Sequence, residues 1–400
     1  MNLALSEKSQ LLFNSPVSPS LRLSVIVPAK NESLDIISTL DALRLQADRQ
    51  GNPIDHQLYE VLVLANNCSD DTYAICQNYQ NRYLDFSLHV ECIEIDKPIA
   101  HIGTVRRLLM DKAYRRLISV AGGKGIIVST DADSQVDKNW ICNILLEMEN
   151  GVDVVGGRII PKETPRLSRL HHLRDVTYRF FQTRLESEID PCLSNPWPRH
   201  FQCYGPSLAV TCEIYEKAGR IPAIPFLEDE EFRKALKRID AKIRHAPNVK
   251  IHTSSRLDGR VEFGFSVQLQ HWSDMSENKQ QQMVESLDTL IFKNNLKKRL
   301  RKVWNKHKQQ VEASVELDEI ARELNWSKVS LLGILRSTLY FETLWENIEM
   351  QMDKDGHQNI VIQPISTVIE SFRHYYASKP KIPLPKVEIL SMAVPETAFR

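Results

Sequence analysis

Between residues 23 and 148 the chain repeats one pattern: a run of β-branched and aliphatic residues, a polar loop, then apolar residues at helical spacing. Leu23-Ser24-Val25-Ile26-Val27 leads into loop 28–32 and then into 33–45, where Leu34, Ile37, Leu40 and Leu43 recur on one helical face. Residues 60–64, loop 66–71 and 72–83 repeat the cycle, 88–95 and 103–120 repeat it again, and Ile126-Ile127-Val128 opens a fourth. Strands alternating with helices impose right-handed crossovers, so the expected fold is α/β: a mainly parallel sheet flanked by helices. The loops that follow the strands then share one edge of that sheet, where such folds bind ligands.

The fourth run ends in Asp131-Ala132-Asp133. In an extended segment alternate side chains point the same way, so the two carboxylates converge while Ala132 faces away. Converging carboxylates repel unless a cation lies between them, and hard oxygen donors suit Mg²⁺ or Mn²⁺ with room left for phosphates. The alternative is an acidic turn that caps a helix expected from about Asp137, with the stripe Trp140, Ile144, Leu145 and Met148. Neither G-x-G-x-x-G nor G-x-x-x-x-G-K-[ST] occurs anywhere. A nucleotide at this edge must therefore be held in another way.

A length of 400 residues is too much for one ordinary core and implies about two domains. Acidic and basic residues balance at 51 each, so no global field advertises nucleic acid, and no such partner is expected. Neither a secretory leader nor an apolar run long enough to cross a bilayer is legible, which leads to an expected cytoplasmic location. The cysteines, Cys68, Cys76, Cys92, Cys142, Cys192, Cys203 and Cys212, are odd in number and include no C-x-x-C pair. That pattern argues against a disulfide framework and a structural zinc site. Residues 1–20, polar and broken by Pro16 and Pro19, are expected to form a flexible arm.

Val27-Pro28-Ala29-Lys30-Asn31-Glu32, then Asn66-Asn67-Cys68-Ser69-Asp70-Asp71-Thr72, then Asp131-Ala132-Asp133, in this order, resemble glycosyltransferase family 2 with its Rossmann-like GT-A fold. The resemblance runs over roughly residues 21–264, within an expected GT-A domain at 21–269. It implies that Pro28, Ala29 and Glu32 lie against a donor nucleoside. Relatives place acids in the second loop where this chain has Ala65 and Asn66, with Asp70 retained. Asn66 and Asp70 are thus implied donor contacts, and the departure leaves a uridine or a guanosine donor open. Turn and N-cap chemistry is the alternative for both residues. Arg106 is implied near the donor phosphates; its alternative is a surface arginine on a basic helix with Arg107, Arg115 and Arg116.

Further on, Tyr204-Gly205-Pro206-Ser207-Leu208 resembles the family's glycine-bearing acceptor loop, and Glu228-Asp229 its Glu-Asp motif. By that match Asp229 is the catalytic base, Glu228 orients neighbouring groups or the acceptor, and Glu230 and Glu231 are solvated. The alternative is that these acids only cap a helix. His252 is carried over as a metal or diphosphate ligand beside Asp131 and Asp133, against a plain strand-end histidine. Arg256 and Arg260 are carried over for anionic groups of the acceptor or diphosphate.

From 270 to 378 the pattern is helical. Leu287, Leu290, Ile291, Leu300, Val303 and Trp304 recur beside Lys297, Lys298, Arg299, Arg301 and Lys302. Such a segment suits peripheral contact with an anionic membrane or, the preferred reading, a solvated face. The stripe Leu331, Leu335, Phe341, Leu344, Trp345 and Ile348 is expected to pack against it or a partner, and 379–400 is a proline-rich tail. The resemblance implies a metal-dependent, inverting glycosyltransferase that moves a sugar from a UDP- or GDP-linked donor to a hydroxyl acceptor. Three alternatives stay open: a retaining enzyme with a small phosphorylated acceptor, a nucleotidyltransferase, and a non-catalytic sugar-nucleotide binder. The sugar, the acceptor and the oligomeric state are not written in these motifs.

Overall fold

The computed structural model describes residues 12–162, 165–254, 264–309 and 314–379. Strands β1 (Leu23–Ala29), β2 (Tyr59–Asn66) and β3 (Leu88–Ile93) alternate with helices α1 (Ile36–Arg44), α2 (Thr72–Arg82) and α3 (Ile102–Val120). Then follow β4 (Ile126–Ser129), the short β5 (Ser134–Val136), α4 (Trp140–Glu149), β6 (Val154–Pro161) and the long α5 (Arg166–Ile189). The sheet is completed by β7 (Leu208–Thr211) and β8 (Ile243–Thr253), with α6 (Cys212–Lys217) and α7 (Glu228–Arg238) between them. Its order is β3-β2-β1-β4-β7-β6-β8-β5. The β3-β2-β1-β4 half is parallel, as the alternating pattern predicts, whereas β7 runs antiparallel to both neighbours and β5 antiparallel to β8.

Every residue of β1, β2 and β4 is buried, the signature of strands covered on both faces. Side-chain alternation divides them: Val25, Val27, Val61 and Val63 face a core with Ile36 and Leu40 of α1, Cys76 of α2 and Trp140 of α4. Ile26, Leu62 and Leu64 face the other core, with Leu108 and Leu109 of α3, Tyr215 of α6 and Phe232 of α7. Leu12 and Phe13 belong to this second core, a correction to the loose arm expected over 1–20. Apolar burial explains it, together with Arg116, whose guanidinium donates to the carbonyls of Phe13 and Ser15 at 2.9 Å each.

The helical region comprises α8 (Phe265–Glu277), α9 (Leu287–Lys308), α10 (Ser314–Glu323), α11 (Lys328–Ser337), α12 (Phe341–Asp355) and α13 (Ile365–Ser378), with the hairpin β9 (Met283–Glu285) and β10 (Ile362–Pro364). The sequence boundary at 269/270 falls inside α8, and Tyr178 and Leu185 of α5 pack into one cluster with Leu290, Ile365 and Phe372. The expected stripe Leu331, Leu335, Phe341, Leu344 and Ile348 packs on Leu296, Leu300 and Trp304 of α9. Three residues of the basic run on α9 are engaged by acids, while Lys302 is exposed. Lys297 and Arg301 pair with Glu342, Arg301 also with Asp190, and Arg299 with Glu323. Among the described residues no helix is long and apolar enough to cross a membrane.

Candidate active site

Loops that leave β1, β2 and β4 meet at the C-terminal edge of the parallel half. The first two are stitched together: the Glu32 N–H donates to Thr72 Oγ1 at 2.7 Å, the Ser33 N–H to Asp70 at 3.1 Å, and the Ser69 N–H to Asn31 at 2.8 Å. Asn31 and Asn67 take the left-handed conformation there, with φ of 54° and 48°, which asparagine tolerates better than most residues. Burial works against the charge of Asp70, but hydrogen bonds from Thr72 and Ser33 outweigh it and hold the carboxyl down at about 2. Asp70 therefore ties the two loops together, which is the turn-and-cap chemistry set out above as its alternative. Pro28 and Ala29 are buried at the end of β1, Asn66 is buried at the end of β2, and Glu32 is half-buried between the loops.

The third loop carries the paired acids. β4 pairs with β1 up to Ile26↔Ser129, and the Thr130 N–H continues the ladder to the Ile26 carbonyl at 3.1 Å. Beyond it Ala132 is buried, its carbonyl held by Thr39 Oγ at 2.8 Å, while Asp131 and Asp133 are half-buried. Asp131 keeps 30% of its side-chain exposure. Its Oδ1 accepts from Arg106 at 3.0 Å, and Oδ2 has no hydrogen bond from the described residues. Burial pushes the Asp131 carboxyl up to about 6; Arg106 opposes the rise, and the charges of Asp133 and Glu228 add to it.

Arg106 organises the site. It lies one turn into α3, whose N-terminus is capped by His101, and its side chain is 4% exposed rather than on a basic surface. Its Nε donates to Glu228 Oε1 at 2.9 Å, its Nη2 to Asp131, and its Nη1 to Ser129 Oγ and to the Gly205 carbonyl at 3.1 Å. Burial works against the guanidinium charge, but Asp131, Glu228 and Asp229 outweigh it and raise the pKa above its ordinary high value. With its donors so engaged, Arg106 is a bracket between two acids, not an open cradle for phosphate.

Gly205 completes the bracket. A Cβ placed there would stand 2.7 Å from Cζ of Arg106, so only glycine allows the guanidinium to lie against this backbone. Its N–H donates to Asp229 Oδ2 at 2.8 Å, and the other oxygen of Asp229 accepts the Glu230 N–H at 2.8 Å. Glu228 and Asp229 open α7, and Leu227 just before them is held at φ 59°, a costly conformation for a leucine, exposed and next to the site. Glu228 is buried, Asp229 half-buried, and Glu230 and Glu231 bond Arg233 and Lys234 within the same helix.

Asp131, Arg106, Glu228, Gly205 and Asp229 thus form one connected set, although they span more than a hundred residues of chain. His252 does not join it. It stands opposite Gln135 in the β5–β8 pair, with its ring 3.5 Å from Asp137. Among the described residues no group of three His, Cys, Asp or Glu side chains gathers around a common metal position. Arg256 and Arg260 lie outside the described residues.

Two acids with an orphan beside them still fit a hard divalent cation. Among the described residues Thr130 Oγ1, adjacent to Asp131, is buried without a hydrogen-bond partner, and Oδ2 of Asp131 is not engaged. The donors are oxygens throughout, and a Mg²⁺ or Mn²⁺ held by one or two carboxylates takes its remaining ligands from water or phosphate. Sequence reasoning missed Ser129 and Thr130. The signal was there, since both are hydroxyls at the end of an otherwise apolar run.

Residues 24–198 match the family model of Glycosyl transferase family 2. No curated protein sequence matches the chain. S. aureus TarS aligns with a TM-score of 0.41 at 13% identity, over 70% of this chain and 44% of its own, so the chain spans less than half of that protein. The mannosyltransferase PcManGT from Pyrobaculum calidifontis, solved with GDP-Man and Mn²⁺, aligns with a TM-score of 0.41 at 14% identity, over 94% and 88% of the two chains. GalNAc-T7, solved with UDP, GalNAc and Mn²⁺, gives 0.44 at 11% identity, over 84% and 58%. Residues 24–198 therefore form a glycosyl transferase family 2 domain.

Proposed function

We propose that the chain is a metal-dependent, inverting glycosyltransferase that transfers a sugar from a uridine or guanosine diphosphate donor to a hydroxyl acceptor. The observation that carries the reading is the Arg106 bracket, which ties Asp131 of the third loop to Glu228 and, through Gly205, to Asp229. In this reading Asp131 and Asp133 hold Mg²⁺ or Mn²⁺, and Pro28, Ala29, Glu32 and Asn66 line the donor nucleoside. A cation bound there supplies positive charge against the departing diphosphate.

Asp229 takes the proton from the acceptor hydroxyl. The acceptor oxygen bonds to the anomeric carbon while the carbon–oxygen bond to the diphosphate breaks, and attack opposite the leaving group inverts the centre. Glu228 and Arg106 touch neither sugar nor acceptor; they hold the loop, the metal acid and the base in register. Seven unpaired thiols, four of them buried, suit a cytoplasmic setting.

The test is a screen of nucleotide sugars by thermal shift with and without Mn²⁺, followed by anomeric analysis of the product by NMR. One UDP- or GDP-sugar should raise the melting temperature only with metal, and Asp133→Ala should abolish that dependence. No shift with any donor would count against the substrate class. A retained anomeric configuration would overturn the inverting mechanism while leaving the donor class intact.

A further inference from the structure

Helix α5 presents two faces of opposite character. Ser168, His171, Tyr178 and Leu185 are buried against the helical region. Arg166, Arg169, Leu170, Leu173, Thr177 and Phe180 recur at the spacing of a single helical stripe on the far side. There Leu170 is 54% exposed, Leu173 51% and Phe180 43%, with Leu167 at 51% beside them. Phe180 also meets the half-buried Trp197 at 5.2 Å, which widens the stripe into the following loop, where Leu193 is fully exposed. So many large apolar side chains in one patch are unusual on a free surface.

Along residues 166–180 its charge is one-sided; farther along the same stripe Glu188 is paired with Arg184 and Lys379. Arg166, Arg169 and Arg174 make no ion pair among the described residues, and the first described acid of the helix, Asp175, lies on the opposite side, bonded by Arg179 at 2.9 Å. Leucines and a tryptophan–phenylalanine pair interleaved with unpaired arginines suit a layer that is apolar beneath and anionic above. A groove on another protein would satisfy the leucines without calling for three unpaired arginines. Helix α5 runs past the Gly205 loop on its opposite side: the Arg179 guanidinium lies 5.6 Å from the ring of Phe201, four residues before Gly205.

We propose that this face of α5, with Trp197, docks on the headgroup layer of an anionic bilayer. The inference concerns where the enzyme works and does not depend on the metal or on the stereochemistry of transfer. The full chain should float with phosphatidylcholine vesicles containing about a quarter phosphatidylglycerol, and not with phosphatidylcholine alone, at about 0.1 M salt. Raising the salt to about 0.5 M should release much of it.

A Leu170→Glu, Leu173→Glu variant should lose vesicle binding about tenfold or more. An Arg166→Gln, Arg169→Gln variant, which leaves every apolar contact in place, should lose it to a similar extent. Both should keep the circular dichroism and melting temperature of the natural chain. Failure of the natural chain to bind anionic vesicles would overturn the proposal, as would binding that the arginine variant leaves unchanged. A dimer seen by light scattering, dissolved by the leucine substitutions and without affinity for vesicles, would assign the face to a second copy and overturn it equally.

Discussion

At the scale of single residues the site turns on which oxygens are engaged and which are left open. Asp229 has both oxygens held by backbone N–H groups, so it is fixed in direction before any acceptor arrives. Replacing it with Asn keeps the shape and removes the proton acceptor. We expect kcat to fall about 10²- to 10⁴-fold with donor binding preserved, as read by initial rates beside a donor thermal shift. Asp131 yields a pH prediction. Its carboxyl, pushed up to about 6, carries a proton in the metal-free protein below that pH, and a bound cation must displace it. Mn²⁺ affinity should therefore weaken as pH falls below about 6, with proton release on binding, measurable by titration calorimetry in two buffers. The same group penalises folding as pH rises from its unfolded value of 3.8 through about 6, because the folded protein holds the proton more tightly. Affinity unchanged between pH 5 and 7 would remove Asp131 from the metal site.

At the scale of elements, α7 carries the candidate base at one end and is clasped at the other. Arg238 forms a two-pronged pair with Glu346 at 2.6 Å, and Thr343 Oγ donates to the Arg238 carbonyl at 2.8 Å. Asp240 caps α12 from a hundred residues away, accepting the N–H groups of Phe341 and Glu342 at 2.8 Å each. The exposed ion pair contributes little, whereas a lost cap costs about 1 kcal/mol, and Asp240 also holds a left-handed φ of 53° that alanine resists. Asp240→Ala should lower stability by about 1–2 kcal/mol in denaturant titration, and Asp240→Asn by less. Because α12 steadies the helix that aims Asp229, kcat should drop with the stability of this junction while donor affinity stays. A variant with the expected stability loss and full kcat would make the clasp purely structural.

At the scale of the whole molecule, the parallel half of the sheet is pinned by a buried pair far from the site. Glu60 at the start of β2 accepts from Arg116 of α3 at 2.6 Å and from Ser24 of β1 at 2.7 Å. Burial works against its charge, but His89, Arg116 and Ser24 outweigh it and hold its carboxyl down at about 2. The sign follows: this group's contribution is complete above the unfolded value of 4.5 and is lost as pH falls toward about 2. Arg116→Ala removes the guanidinium from buried Glu60 and leaves it only Ser24 and His89, and should cost about 3–5 kcal/mol near neutrality. The deficit should narrow in acid, because Glu60 can then take up a proton; denaturant midpoints at pH 7 and pH 4 test this, and an unchanging deficit would refute it.

The repeating strand, loop and helix were legible from periodicity because β1, β2 and β4 are apolar runs covered on both faces, β3 alternates, and the helices carry apolar stripes. Asp131-Ala132-Asp133 and Glu228-Asp229 were legible because charge in a run of apolar residues, or at a helix start, is conspicuous. Which acids meet was not legible, since their meeting depends on one arginine that the sequence alone presents as one basic residue among several. His252 was misplaced for a related reason. Its side-chain type suits a ligand, but its contact with Asp137 comes from the β5–β8 pairing, which residue type alone does not show. The antiparallel β7 and β5 and the fate of the basic α9 likewise waited on tertiary pairing, where Glu342 and Asp190 come from distant segments. Local periodicity is a property of neighbours along the chain and so determines the elements. The convergence of Arg106, Asp131, Glu228 and Gly205 is a property of packing, and only the folded sheet, by placing the end of β4 beside α3 and α7, decides it.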